Sequence, residues 1–238
     1  MKDKIIEIIE LLQREFQGVE PVPRKSNPLD VLIATILSQN TTDKTSYIAF
    51  KNLKRDYRSW KSVMEAPQKK IENSIRVCGL ANQKAKSIKS LLKGLSKKNK
   101  KLSLDYIKKL PDEKIYEELL QYGGVGVKTI SCVLAFALGR DVFPVDTHVH
   151  RLTNRLGIAN AKTPDKTFEQ LKDKIPEGEK FLLHTLLIRF GRKVCRSQSP
   201  LCSKCVLYDL CEFEEKEDFA MQTVMEPKEN NFIILEHI

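Results

Sequence analysis

No run of about 18 apolar residues occurs in this 238-residue chain, so no segment reads as a helix able to cross a bilayer. The N-terminal stretch MKDKIIEIIELLQREF is charged and amphipathic, and it lacks the apolar core and cleavage site of a secretory signal. Period-two alternation is missing throughout, so nothing reads as a sheet. A long internal repeat is missing too. What remains is the composition of an ordinary soluble globular protein, 41% hydrophobic and 30% charged, with enough chain for one large or two small domains.

The pattern that is present is helical. Ile5, Ile8, Ile9, Leu12 and Phe16 mark one helix face, and Leu29, Leu32, Ile33, Ile36 and Leu37 mark a second helix after Pro28. Further helices are predicted near 43–54, 68–77, 83–95, 103–109, 112–121, 127–138, 147–156, 165–174 and 178–191, separated by short proline and glycine breakers. The run KKNKK at 97–101 reads as a solvated loop, and 214–238 as a weakly ordered acidic tail with an unexpectedly apolar end, FIILEHI. That end has two readings, docking on the body or binding a partner.

Charge is uneven. Residues 212–238 hold eight acidic and two basic side chains, a net of −6, which leaves +16 on residues 1–211. So basic a body attracts polyanions, although a lysine-rich solvated surface would give the same count.

Three of the ten glycines fall between 123 and 126, in QYGGVGVKTISC. A helix ends near Gln121 and another begins near Val127. Glycines placed there permit a tight turn with positive φ, and the next helix presents unpaired N–H groups, together a phosphate cradle. An ordinary helix–helix turn would look alike. Lys128 lies in the first turn of the second helix, where the dipole disfavours a cation by roughly 0.3–1 kcal/mol. Desolvation is the stronger lever on an amine there. From position alone Lys128 reads equally as a phosphate ligand. Asp146 lies 18 positions later, in FPVDTHVHRLTNRLG, where it reads as a helix N-cap. His148 is a candidate to orient Asp146 or to touch phosphate, whereas His150 and His184 read as structural, and Asp43 as a residue that caps or braces its helix.

Six cysteines complete the inventory. Cys195, Cys202, Cys205 and Cys211 read C-x6-C-x2-C-x5-C, and four thiols so close suit either structural zinc or an iron–sulfur cluster. Cys78 and Cys132 read as small buried hydrophobes.

Taken in order, the motif GGVGVKT, the VDTH segment and the four-cysteine loop resemble the endonuclease III family of helix-hairpin-helix glycosylases. The family hairpin typically reads L-P-G-V-G-R-K-T. Here Tyr122 replaces the leucine, Gly123 the proline and Val127 the basic residue, while Gly124, Gly126 and Lys128 stay in register. The resemblance covers about residues 1–213. It implies an all-α fold of two helical domains with a DNA-binding cleft between them. The N-terminal helix (1–26) joins a cluster domain (141–213), beside a helical barrel (27–140) that carries the hairpin, and the tail (214–238) lies outside.

The resemblance also implies roles. Lys128 would be the Schiff-base nucleophile and Asp146 the catalytic carboxylate. The four cysteines would hold a 4Fe-4S cluster, with Arg196 and Lys204 on its loop facing phosphates. Gly124 and Gly126 would hold the DNA backbone, with a monovalent cation at the hairpin. Leu80 would wedge the opposite strand, and Gln39 or its neighbour Asn40 would fill the gap left by the flipped base. The implied activity is that of a bifunctional DNA glycosylase/AP lyase removing oxidised pyrimidines such as thymine glycol. Its partner would be double-stranded DNA with a damaged base or abasic site, bound by a monomer in the cytoplasm, nucleoid-associated, of a prokaryote. Two other readings stay open: a mismatch glycosylase for adenine, or for thymine or uracil opposite guanine, and a non-catalytic iron–sulfur DNA-binding protein. Mismatch enzymes typically lack the lysine, and a pure binder would not need Lys128 and Asp146 together.

Overall fold

A computed structural model describes residues 1–19, 26–98, 102–222 and 232–238. Among the described residues the chain forms α-helices and short 3-10 or π turns, with no strand. None of these helices is long and apolar enough to cross a membrane. In chain order they are α1 (Lys2–Glu15), α2 (Pro28–Ser38), α3 (Asp43–Asp56), α4 (Trp60–Glu65), α5 (Gln68–Ile75), α6 (Ala81–Lys98), α7 (Asp112–Leu120), α8 (Val127–Cys132), α9 (Thr147–Arg155), α10 (Pro164–Leu171), α11 (Lys180–Lys193) and α12 (Lys216–Met221). Two compact units result. One comprises 1–23 and 141–231, the other 24–140 and 232–238.

The second unit is organised by α2. Every residue of this helix except Asp30 and Ser38 is buried. A helix apolar on all sides cannot lie on a surface and becomes the centre around which others pack. Here α3, α6, α8 and the turn after α8 surround it. Its start is fixed by Asn27, whose Oδ1 accepts from the N–H groups of Leu29 (2.9 Å) and Asp30 (3.2 Å), and by Pro28 at the first helical position. Asp30, its polar exception, accepts from Trp60 Nε1 at 2.6 Å and from Lys54 Nζ at 3.0 Å.

Within the first unit, α1 buries Ile5, Ile8, Ile9 and Leu12 and packs on α11, which also packs on α9. Asp141 serves α11 from a distance, its carboxylate accepting from Gly178 N (2.8 Å) and Lys180 N (3.2 Å).

Four local features depart from the periodic reading. The short α4 was not expected: only Val63 of its six residues is buried, too few for a periodic signal. The segment 103–109 is a 3-10 turn, Asp105–Lys109, rather than an α-helix. The predicted 127–138 helix widens into a π turn over Val133–Ala137, where all five residues are buried. Thr42 rather than Asp43 caps α3, accepting from Thr45 N at 3.3 Å.

Of the expected loop at 97–101, Lys97 and Lys98 belong to α6, and 99–101 lie outside the described residues. The tail departs from expectation in its helix, and its apolar end takes the first of its two readings, docking on the body. Lys216–Met221 is helical, and 232–238 is packed into the second unit; 223–231 lie outside the described residues. Ile233, Ile234 and Leu235 are buried against α2 and α3. Phe232 lies edge-on to Tyr47 at 5.2 Å and stacks on His237 at 4.5 Å, while Ser26 Oγ donates to the Ile238 carbonyl at 2.6 Å. Three buried aliphatic side chains imply that deleting residues 232–238 lowers unfolding free energy by about 3–5 kcal/mol. Denaturant melts of the full and shortened chains measure this, and an unchanged midpoint would contradict the packing described.

Candidate active site and cysteine-lined loop

The glycine hairpin joins α7 to α8. Val125 N donates to Tyr122 O at 3.1 Å, which closes the turn. Gly124 has φ +87°, and a Cβ there would meet Ser87 Oγ at 2.8 Å. Both backbone and neighbour therefore require glycine. Gly126 stands at the N-cap of α8, and no side chain caps that helix. Lys128 follows in its first turn, half-buried.

Two further segments of the same unit carry predicted site residues. Gln39 ends α2, and its Nε2 donates to the Gly124 carbonyl at 2.9 Å, tying the α2–α3 turn to the hairpin. Asn40, exposed, has φ 51°. Leu80, 51% exposed, has φ 49°. A leucine in the left-handed region costs roughly 1–2 kcal/mol, whereas asparagine adopts it readily. Leu80 therefore holds a strained backbone at the surface.

In the other unit Asp146 caps α9, its Oδ1 accepting from Val149 N at 2.8 Å. His148 lies two residues on, in the first turn of α9. Burial holds its imidazole below the usual range, Asp146 pulls the other way, and Arg151 and Arg192 add to the depression. Gly191 of α11 makes the close approach possible, since a Cβ there would lie 3.1 Å from His148. His150 Nδ1 meets Thr167 Oγ1 at 2.7 Å, and His184 Nδ1 meets the Pro144 carbonyl at 2.7 Å; these two serve the packing of α9 and α11.

Cys195 follows α11, Cys202 opens a 3-10 turn, and Cys205 and Cys211 complete the loop. All four line one cavity with Arg155, Tyr208, Phe213 and Lys216. Among the described residues, no three His, Cys, Asp or Glu side chains form a group that could hold a metal ion as they stand. Burial pushes the thiols of Cys202, Cys205 and Cys211 up, Cys205 to about 12, and proximity to other cysteines adds to this.

Cations not anticipated from sequence organise the loop. Arg155 Nη1 donates to Cys195 Sγ (3.3 Å) and to the Arg196 carbonyl (2.9 Å), and its guanidinium stacks 4.0 Å from the Phe213 ring. Arg151 Nη2 donates to the carbonyls of Gly191 (3.0 Å) and Cys195 (2.7 Å). Lys216 Nζ donates to the carbonyls of Tyr208 (3.1 Å) and Cys211 (2.8 Å). Only their i, i+4 spacing on α9 could have flagged Arg151 and Arg155. Of the cations that sequence placed on this loop, Lys204 is exposed, whereas Arg196 buries its Nε and Nη2 without a hydrogen-bond partner.

Strain at Leu80 gives a stability test. Leu80→Gly is expected to raise unfolding free energy by about 0.5–1 kcal/mol, because glycine adopts positive φ without a Cβ clash. A fall in stability on thermal melting would show that the exposed side chain contributes packing the structure does not display.

The family model for the HhH-GPD superfamily base excision DNA repair proteins matches residues 33–177. Endonuclease III of Thermotoga maritima is 37% identical over 209 residues, covering 87% of this chain and 93% of that protein. A putative DNA glycosylase of Arabidopsis thaliana is 42% identical over 178 residues, 74% of this chain but 58% of that protein's length. A solved structure of a trapped endonuclease III–DNA covalent intermediate, in an estranged-adenine complex, superposes with a TM-score of 0.76 at 30% identity, covering 92% of this chain and 98% of that one. The chain belongs to the HhH-GPD superfamily, in its endonuclease III family, and is a base excision repair DNA glycosylase.

Proposed function

We propose that this enzyme removes oxidised pyrimidines such as thymine glycol from duplex DNA and then cuts the strand 3′ of the abasic site, as a monomer, through a Schiff base on Lys128. The observation that carries this reading is Lys128 itself. It stands half-buried in the first turn of α8, directly beyond the hairpin in which Gly124 has φ +87°. A phosphate held by the hairpin N–H groups would bring the neighbouring sugar to that amine.

The chemistry assigns each group a task. Leaving of the base builds positive charge on the deoxyribose. A carboxylate about 4 Å away, at an effective dielectric near 20, stabilises that charge by about 4 kcal/mol, roughly three decades in rate. Asp146 fits this task because its bond to Val149 N fixes the carboxylate at the head of α9. The Lys128 amine attacks C1′ and, after loss of a proton and ring opening, forms the iminium. Removal of a C2′ proton then expels the 3′ phosphate. Water in place of the amine would leave the strand intact. Leu80 and either Asn40 or Gln39 would occupy the space of the extruded base, and His148 would steady Asp146. Gly124 and Gly126 would hold the DNA backbone, with a monovalent cation at the turn.

The cysteine loop fits a 4Fe-4S cluster. Its donors are four sulfurs lining one cavity, the donor set such a cluster takes. When bound, the cluster would supply a rigid cross-link of the loop rather than a step in base removal. Arg155 and Lys216 already fasten that loop through its carbonyls and Cys195 Sγ.

Two measurements follow. On duplexes each bearing one lesion, thymine glycol is expected to be released with strand cutting. Asp146→Asn should slow base release about a thousandfold, and Lys128→Gln should abolish cutting. Cutting by Lys128→Gln at the wild-type rate would remove the lysine from the mechanism, and no cleavage of any duplex, abasic DNA included, would favour a binding-only protein. Separately, the purified protein should be brown with visible-blue absorption, lost in Cys202→Ser. A colourless, zinc-loaded and fully active protein would contradict the cluster.

A further inference from the structure

Lys84 is the one lysine, arginine or carboxylate among the described residues that is fully buried, at 3% exposure. A buried ammonium is costly unless each donor finds a partner. Lys84 Nζ donates to the Leu37 carbonyl and to the Cys78 carbonyl, both at 2.8 Å. The Cys78 thiol lies beside it; burial lowers the Lys84 ammonium and raises that thiol, and each offsets the other.

Both acceptors are helix-end carbonyls. Leu37 is the penultimate residue of α2, and Cys78 ends the 3-10 turn Arg76–Cys78. Such carbonyls lack an intrahelical partner and carry partial negative charge, so one cation satisfies two helix ends. Three residues beyond Leu37, and two beyond Cys78 past Gly79 (φ 67°), a non-glycine residue takes positive φ, Asn40 at 51° and Leu80 at 49°. Ser199 is the other described residue of this kind, and it lies in the cysteine loop. At Leu80, which lacks the local hydrogen bonding of an asparagine, this is strain that persists only where the surroundings over-determine it.

The same stretch of α6 reaches the hairpin. Ser87, three residues after Lys84, abuts Gly124, whose carbonyl accepts from Gln39 at 2.9 Å. Thus the first turns of α6 underlie the α2–α3 turn, the Leu80 turn and the glycine hairpin, and Lys84 joins the first two directly.

We propose that Lys84 is a positioning residue for base extrusion, holding the Asn40 and Leu80 turns in one fixed spacing so that both enter the duplex together. This rests on the reading above that these turns enter the duplex. Lys84 does not touch DNA: its Nζ is enclosed and doubly bonded, in contrast to the half-buried Lys128.

The test uses the whole 238-residue chain as Lys84→Met, with Lys84→Gln as a milder variant that keeps an amide donor group, and Asn40→Ala and Leu80→Ala as controls for the turns. Three quantities are followed: thermal unfolding, single-turnover thymine glycol release with a neighbouring 2-aminopurine reporting unstacking, and cutting of a preformed abasic site in single-stranded DNA. For Lys84→Met, base release and the fluorescence rise should slow about ten- to a hundredfold, and single-strand cutting by less than about threefold. Lys84→Gln should show the same split at smaller size, which decides the matter should Lys84→Met not fold. Equal loss of both activities with a lowered melting point would make Lys84 merely structural and overturn the proposal, as would no loss in either. Normal release by both turn variants would overturn the reading of the turns and this inference with it. Impaired turn variants beside a normal Lys84→Met would overturn the role of Lys84 alone.

Discussion

The near-complete burial of α2 is the constraint on which the second unit depends. A helix with only Asp30 and Ser38 outside the core has no solvent face on which to turn or slide. Its C-terminal end is therefore a fixed point, and the chain leaves that point through Gln39 and the left-handed Asn40. The hairpin is referred to the same point by the bond from Gln39 to Gly124, and the Leu80 turn by Lys84. Positional accuracy at three surface loops thus descends from one buried helix.

Polar groups at helix ends carry much of what the fold contributes to chemistry. Asp146 is a cap and a candidate electrostatic catalyst at once, and the first role gives the second its fixed orientation. Around the cysteines the same economy recurs with opposite sign. Arg151, Arg155 and Lys216 satisfy carbonyls at the end of α11 and along the loop, and so gather positive charge beside four sulfurs. A loop of little regular structure is held by cations and, in the proposed holoprotein, by the cluster.

Much of this was legible in the sequence, because helical periodicity is written wherever a helix buries one face. The all-α class, the span of α1 and the start of α2 follow from aliphatic spacing and from Asn27–Pro28. The hairpin was legible because glycine advertises a backbone need that the structure bears out at Gly124. The illegible parts share a physical reason: they depend on partners distant in sequence. Lys84 looks like any lysine of the Lys-rich α6 until its two carbonyls, 47 and 6 residues away, are seen. Arg155 is similar, meeting Cys195 and Arg196 forty and forty-one positions on. The π turn at Val133–Ala137 leaves no signal, since apolar residues on every side fit either helix type. The apolar end FIILEHI stood out against the acidic tail, and its packing on α2 and α3 decides between docking on the body and binding a partner, a choice that needs contacts distant in sequence.

The central claim is that one particular amine does the covalent chemistry. The direct measurement is peptide mapping of the adduct formed when borohydride reduces the protein on thymine glycol duplex DNA. The account predicts a single modified peptide spanning the hairpin and α8, with the sugar remnant on Lys128. A remnant on another lysine or on the N-terminal amine would contradict it.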